Sequence, residues 1–436
     1  MSSPARRTVA VQGKSEPGVC RLRLSCVAPA QTLLGAPAES SVRDLSILII
    51  KGRAFDGRVL HSRAEVKVDT EKGVVLEFGE RGSVEEPRGA KMTEMENITI
   101  IPGLMDAHVH FYSAKGQGVD DWAMVPDALA VLRAAGDLKR LLHAGFTAVR
   151  ELGTKGGVYL AQAVAEGSIE GPEVVSCSRA LALTGGDDDP PAFPLKLAQE
   201  LASYSYFCDG PWECRRAVRM VARDGGKVVK FYASGAFSRG RSVKPNFTEE
   251  ETRAIVDESK RLGLKVAAHA YGEEAIGRVV ACGVDSIEHG LGLTEALASE
   301  MRRKGIYYVP TLMTYSNPAY KNRHNDMVKR HLSDDMKVAT EKGVKVVMGS
   351  DIVGDAARPH GRNFEEIAEE AKFLGNREAL VAATSRAAEC MGLEDAGALK
   401  PGYRADLVMV RGNPLKDIRA LSPEAIVRVM KAGKFL

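Results

Sequence analysis

Six residues of the chain, His108, His110, Lys230, His269, His289 and Asp351, carry side chains suited to one shared task, the holding of metal ions. His108 and His110 close the run that begins at Ile100, and side chains two apart on a strand share a face. Two imidazoles so placed can grip one ion, although a His-x-His pair by itself is more often coincidence. Lys230 lies inside the apolar run Val228-Val229-Lys230-Phe231-Tyr232. Burial there favours the neutral amine, which reacts with carbon dioxide to give a carbamate, an anionic group whose two oxygens can bridge two ions. The plain alternative is a lysine that snorkels to the strand end. His269 ends Val266-Ala267-Ala268, His289 ends Ser286-Ile287-Glu288, and Asp351 ends Val347-Met348-Gly349-Ser350. Singly, each is a hydrogen-bonded core group or, for Asp351, a helix cap.

The elements that must position these residues decide the matter. From Ile98 onward, short apolar segments alternate with helical ones. The strand segments are Ile98–His110, Thr147–Leu152, Glu173–Ser178, Lys227–Ala233, Lys265–Ala270, Asp285–His289, Ile306–Thr311 and Val344–Ser350. Between them lie helical patterns such as Glu249–Leu262, where Thr248 and Glu251 form a capping box. Eight successive β-α units predict an α/β protein with a (β/α)8 TIM-like barrel, and a doubly wound open sheet is the competing arrangement. On the barrel reading, the six residues fall at the ends of strands one, four, five, six and eight. Barrel enzymes keep their active sites at that mouth, so chance convergence becomes improbable.

Leu45–Lys51 and Ala64–Val68 before the barrel, and Ala405–Val410 and Ile426–Ala432 after it, read as strands. They predict a small β-sandwich domain built from both chain ends. The expected divisions are an extension over 1–44, the first part of the small domain over 45–101, the barrel over 102–396, and the second part over 397–436.

A hydrophobic content of 44%, a charged content of 27% and a net charge of +3 describe an ordinary globular enzyme. They offer no electrostatic case for nucleic acid or an anionic membrane. No apolar stretch is long enough to span a bilayer and no secretory leader is evident. Seven scattered cysteines without Cys-x-x-Cys predict reduced thiols in a cytoplasmic protein, with Cys208–Cys214 as a minor candidate pair.

Pro102-Gly103-Leu104-Met105-Asp106-Ala107-His108-Val109-His110 resembles the first-strand signature of the amidohydrolase superfamily, and Lys230, His269, His289 and Asp351 match its remaining ligand positions. Gly397–Leu407 resembles the same family's return into the small domain. Thr184-Gly185-Gly186 and Ser234-Gly235 look most like the imidazolonepropionase-like branch, which includes lysine-ligated Xaa-Pro dipeptidases and ochratoxinase. The resemblance implies two divalent ions, zinc foremost, with His108, His110 and Asp351 on one, His269 and His289 on the other, and N-carboxylated Lys230 between them. It implies hydrolysis of an amide by a hydroxide shared between the ions. Asp351 would take the hydroxide's proton and pass it to the leaving nitrogen. A decarboxylase, deaminase or lactonase on the same scaffold is the alternative. A non-enzymatic relative would have lost ligands, and none is lost here.

One departure stands out: Asp187-Asp188-Asp189 occupies the place after Thr-Gly-Gly where the resembling enzymes often carry a histidine. It is either a solvated acidic turn or a mouth loop that favours a cationic substrate group. Tyr232 and His360 are expected to contact a small-molecule substrate, and Arg239 and Arg241 are further candidates. A homo-oligomer is expected.

Overall fold

The computed structural model describes residues 46–436 except 114–121, 123, 190–191, 237–242, 319, 321–323 and 356–357. The extension over 1–44 and the candidates Arg239 and Arg241 lie outside the described residues.

Four strands come first: β1 (Ile47–Phe55), β2 (Leu60–Asp69), β3 (Val74–Glu80) and β4 (Lys91–Pro102). Ten follow: β5 (Leu104–Val109), β6 (Phe146–Glu151), β7 (Glu173–Ser176), β8 (Ala180–Ala182), β9 (Ser205–Phe207), β10 (Val228–Tyr232), β11 (Lys265–Ala270), β12 (Ser286–His289), β13 (Tyr307–Val309) and β14 (Lys345–Val346). The chain ends on β15 (Leu407–Arg411), β16 (Ile426–Lys431) and β17 (Lys434–Phe435).

Strands from both ends form one seven-stranded sheet in the order β17-β16-β15-β4-β1-β2-β3. It curls back on itself. Val75 of β3 exchanges hydrogen bonds with Gly402 and Tyr403, just ahead of β15. The fold encloses Ile50, Val66, Val68, Ile100, Leu407 and Met430, all buried.

The remaining strands close into a parallel barrel. β5, β6 and β7 pair in order, and β10 through β14 pair in order. Lys227 N donates to Ser176 O at 2.8 Å, which joins β7 to β10. Ala107 N donates to Met348 O at 2.9 Å and Asp351 N to His108 O at 2.7 Å, which joins the last strand to the first. These bonds rule out the open doubly wound sheet, which would leave those edges unpaired. β8 and β9 add a parallel pair beside the upper part of β10.

The sequence segment Ile98–His110 resolves into two strands. β4 belongs to the small sheet and β5 opens the barrel, with the break at Gly103. A Cβ at that position would overlap the Thr147 side chain, so only glycine lets β5 turn close against β6. The helix Glu249–Arg261 carries the capping box read from Thr248 and Glu251, both halves of it formed. Cys208 and Cys214 are free, buried thiols, so that candidate disulfide does not form. Among the described residues, no helix is long and apolar enough to cross a membrane.

Candidate metal centre

On β10 the alternation of a strand sends Lys230 and Tyr232 to the barrel interior, while Phe231 joins the apolar layer under the helices. The same parity brings His108 inward at the end of β5 and His269 near the end of β11. At two candidate ligand positions the backbone turns sharply. His289 has φ 68° and Asp351 φ 54°, left-handed values rare outside glycine and concentrated at functional sites.

The six side chains meet. Ligand atoms of His108, His110 and Asp351 lie within 4.8 Å of one another. Asp351 Oδ1 is 3.5 Å from Nε2 of both histidines. Lys230 Nζ lies 3.5 Å from His108 Nε2. Ring centroids separate His108 from His289 by 5.0 Å and His269 from His289 by 4.7 Å.

Each imidazole commits one nitrogen to a protein group outside the candidate ligand set. His108 Nδ1 faces Glu288 Oε2 at 2.8 Å, His110 Nδ1 faces Gly153 O at 2.7 Å, and His289 Nδ1 faces Thr311 Oγ1 at 2.8 Å. The His269 ring bonds the Gly235 backbone, and its Nε2 is buried with no hydrogen-bond partner. A buried polar atom left unpaired costs free energy, so an orphaned imidazole nitrogen among three other imidazoles fits a metal ligand.

Electrostatics agree. Burial, reinforced by the Lys230 charge, holds His108 and His269 well below the usual imidazole range and His110 near about 3, so these rings are neutral donors at pH 7. Burial, with the neighbouring His269, does the same to His289. Burial also lowers Lys230, favouring the free amine. Asp351 is pushed up to about 6 by burial, opposed by Arg358 and Lys230.

The family model described as the amidohydrolase family matches residues 99–436. The chain belongs to the amidohydrolase family. Ochratoxinase of Aspergillus niger is 32% identical over 373 residues, covering 77% of this chain and 75% of that protein. The crystal structure of A. niger ochratoxinase superposes with a TM-score of 0.82 at 27% identity, covering 89% of this chain and 96% of its own. A prolidase solved in complex with N-methylphosphonate-L-proline gives a TM-score of 0.80 at 32% identity, covering 89% of this chain and 99% of that one. This amidohydrolase is thus a metal-dependent hydrolytic enzyme acting on carbon–nitrogen bonds, of the branch that its motifs resemble.

Around the candidate ligands of this amidohydrolase lies a layer of buried polar side chains. Glu288 accepts from Arg150 Nη2 at 2.8 Å and from Ser286 Oγ at 2.5 Å, while Arg150 Nε donates to Ala107 O at 2.6 Å. Asp106 accepts from the backbone N–H of His108 and of Ser350, both at 3.0 Å, and from Asn363 Nδ2 at 2.7 Å. The available signal was charge inside apolar strands: Arg150 and Glu288 each interrupt such a run, and buried charges require partners.

The acidic loop is not a solvated turn. Asp187, Asp188 and Asp189 are buried. Asp188 accepts from Ser205 Oγ and from the Tyr232 hydroxyl, and feels the Lys230 charge. Tyr232 stands beside the centre, its ring 5.1 Å from Lys230 Nζ. His360 is placed elsewhere. Its Nε2 lies 2.9 Å from the His110 carbonyl, its ring packs on Phe111 and its Nδ1 is buried. It therefore supports the His110 backbone from behind.

Proposed function

We propose that this amidohydrolase is a binuclear enzyme that hydrolyses the amide bond of dipeptide-like or N-acyl amino acid substrates, with Lys230 N-carboxylated. The observation that carries this reading is a buried imidazole nitrogen and a buried amine with so little protein bonding among the candidate ligands. His269 Nε2 has no partner, and Lys230 Nζ has only His108 Nε2 as a hydrogen-bond neighbour among the described residues. His108, His110 and Asp351 would hold one divalent ion, His269 and His289 a second, and carboxylated Lys230 would bridge them. Zinc suits imidazole and carboxylate donors. When bound, such a pair supplies Lewis acidity and lowers the pKa of water toward neutrality.

The chain's own residues do the rest. Asp351 is the one acidic group of the ligand set, with its side chain partly open to the mouth. It accepts the proton of the attacking water and returns it to the leaving nitrogen. Thr314 Oγ1, 3.4 Å from Asp351 Oδ2, holds the carboxylate for that transfer. Tyr232 borders the substrate side, and its hydroxyl donates to Asp188. That leaves the phenol oxygen as an acceptor and puts negative charge behind it, which favours a substrate with a cationic amine. The prolidase solved with a proline phosphonate and the name of ochratoxinase support a small amide substrate. The enzyme acts in the cytoplasm, consistent with its free buried thiols, and as a homo-oligomer.

The deciding experiment is metal content per chain on zinc-supplied protein, followed by a screen of Xaa-Pro dipeptides and N-acyl amino acids. Two equivalents with turnover that a chelator abolishes and zinc restores is the expected outcome. One equivalent with deamination or decarboxylation instead would overturn the reading.

A further inference from the structure

The short helix Leu312–Ser316 touches both halves of the proposed centre. Thr311, the residue before it, is fully buried and held at φ 53°, a strained conformation for a β-branched residue. Its Oγ1 lies 2.8 Å from His289 Nδ1. Thr314, three residues on, directs its hydroxyl to Ser350 O at 3.2 Å and to Asp351 Oδ2 at 3.4 Å. A five-residue helix has little stability of its own, so its register must be held from outside.

Glu366 holds it. This residue is wholly buried on the helix Phe364–Leu374, and its two carboxyl oxygens accept the backbone N–H of Leu312 at 2.8 Å and of Met313 at 2.6 Å. Asn363, just before the same helix, donates to Asp106, so it ties that helix to the strand bearing His108. Glu370, one turn beyond Glu366, makes an internal comparison. It is equally buried, but neither of its oxygens has a hydrogen-bond partner.

We propose that Glu366 is a positioning residue for the metal centre. By fixing the N–H groups of Leu312 and Met313 it sets Thr311 against His289 and Thr314 against Asp351. One carboxyl group remote from the reacting atoms thus aligns one ligand of each proposed ion. This rests on the binuclear reading above. A glutamine at 366 keeps one acceptor and turns an NH2 toward the other N–H, so one of the two anchors is lost.

The test compares wild type, Glu366→Gln, Glu370→Gln, Thr311→Ala and the double variant Glu366→Gln/Thr311→Ala. The readouts are zinc affinity against a competing chelator, thermal unfolding of the metal-free proteins, and kcat separately from KM. Glu366→Gln and Thr311→Ala should each bind zinc about 10- to 100-fold more weakly, with the loss in activity falling on kcat. Glu370→Gln should bind as wild type does. The double variant should lose less than the product of the single losses, because both act through His289. If Glu366→Gln does not fold, Glu366→Asp, which withdraws the acceptors by one methylene, takes its place with the same expectation. Wild-type zinc affinity in the Glu366 variant, or losses that multiply in the double variant, would overturn the proposal. A wild type that binds no zinc would instead remove the binuclear reading and this inference together.

Discussion

Glu288 and His108 face each other across the barrel interior with 2.8 Å between Oε2 and Nδ1, both fully buried. The carboxylate fixes the imidazole as the Nδ1–H tautomer and leaves Nε2 for the proposed metal centre. Its other oxygen is held by Arg150 at 2.8 Å. Glu288→Gln should therefore weaken zinc binding about 10- to 100-fold with the fold intact. Arg150→Met strands a buried carboxylate and should cost about 3–5 kcal/mol in urea unfolding. Unchanged zinc affinity in Glu288→Gln would show that the tautomer is set by something else.

Lys230→Ala removes the proposed bridge. Metal content should fall below two equivalents and kcat/KM should drop by more than about 100-fold, the upper end for changes in outer-layer partners. A short carboxylic acid added to the variant should restore part of the activity by standing in for the carbamate. Full activity with two ions in Lys230→Ala would refute the bridge.

Glu151, at the end of β6, titrates against the fold. Burial pushes its carboxyl from 4.5 up to about 7, opposed by hydrogen bonds from Ser176, Gly153 and Thr154. A raised folded-state value contributes stability that is complete below 4.5 and is lost as pH rises through 7. Between pH 5 and pH 8 the metal-free wild type should lose about 3 kcal/mol more stability than metal-free Glu151→Gln. Parallel curves in urea unfolding would contradict this assignment.

Asp188 and Tyr232 should set the preference for a charged amine. At pH 8 Asp188, raised to about 6 chiefly by burial, is ionised and holds the Tyr232 hydroxyl. Asp188→Asn should lower the ratio of kcat/KM for a dipeptide over its N-acetylated form by about ten-fold, the scale of one hydrogen bond to a charged group. Tyr232→Phe should shift the same ratio mainly through KM. A ratio that neither variant moves would place the amine elsewhere.

Sequence alone determined a candidate ligand set and the order of the strands that bear it. His108, His110, Lys230, His269, His289 and Asp351 were legible because metal chemistry restricts residue type and because strand periodicity fixes which side chains share a face. The capping box at Thr248 and Glu251 was legible because it is local. Tertiary structure alone decided barrel closure, since the bonds from Ala107 to Met348 and from Lys227 to Ser176 join segments that no local pattern pairs. It also split Ile98–His110 at Gly103, where the constraint is the Thr147 side chain on another strand. The burial of Asp187–Asp189 and the place of His360 beside the His110 carbonyl were not legible, because burial depends on what packs above a loop. Thr311 and Glu366 were invisible for the same reason: each acts on a partner more than 20 residues away in sequence, through a hydrogen bond that exists only once the barrel has closed.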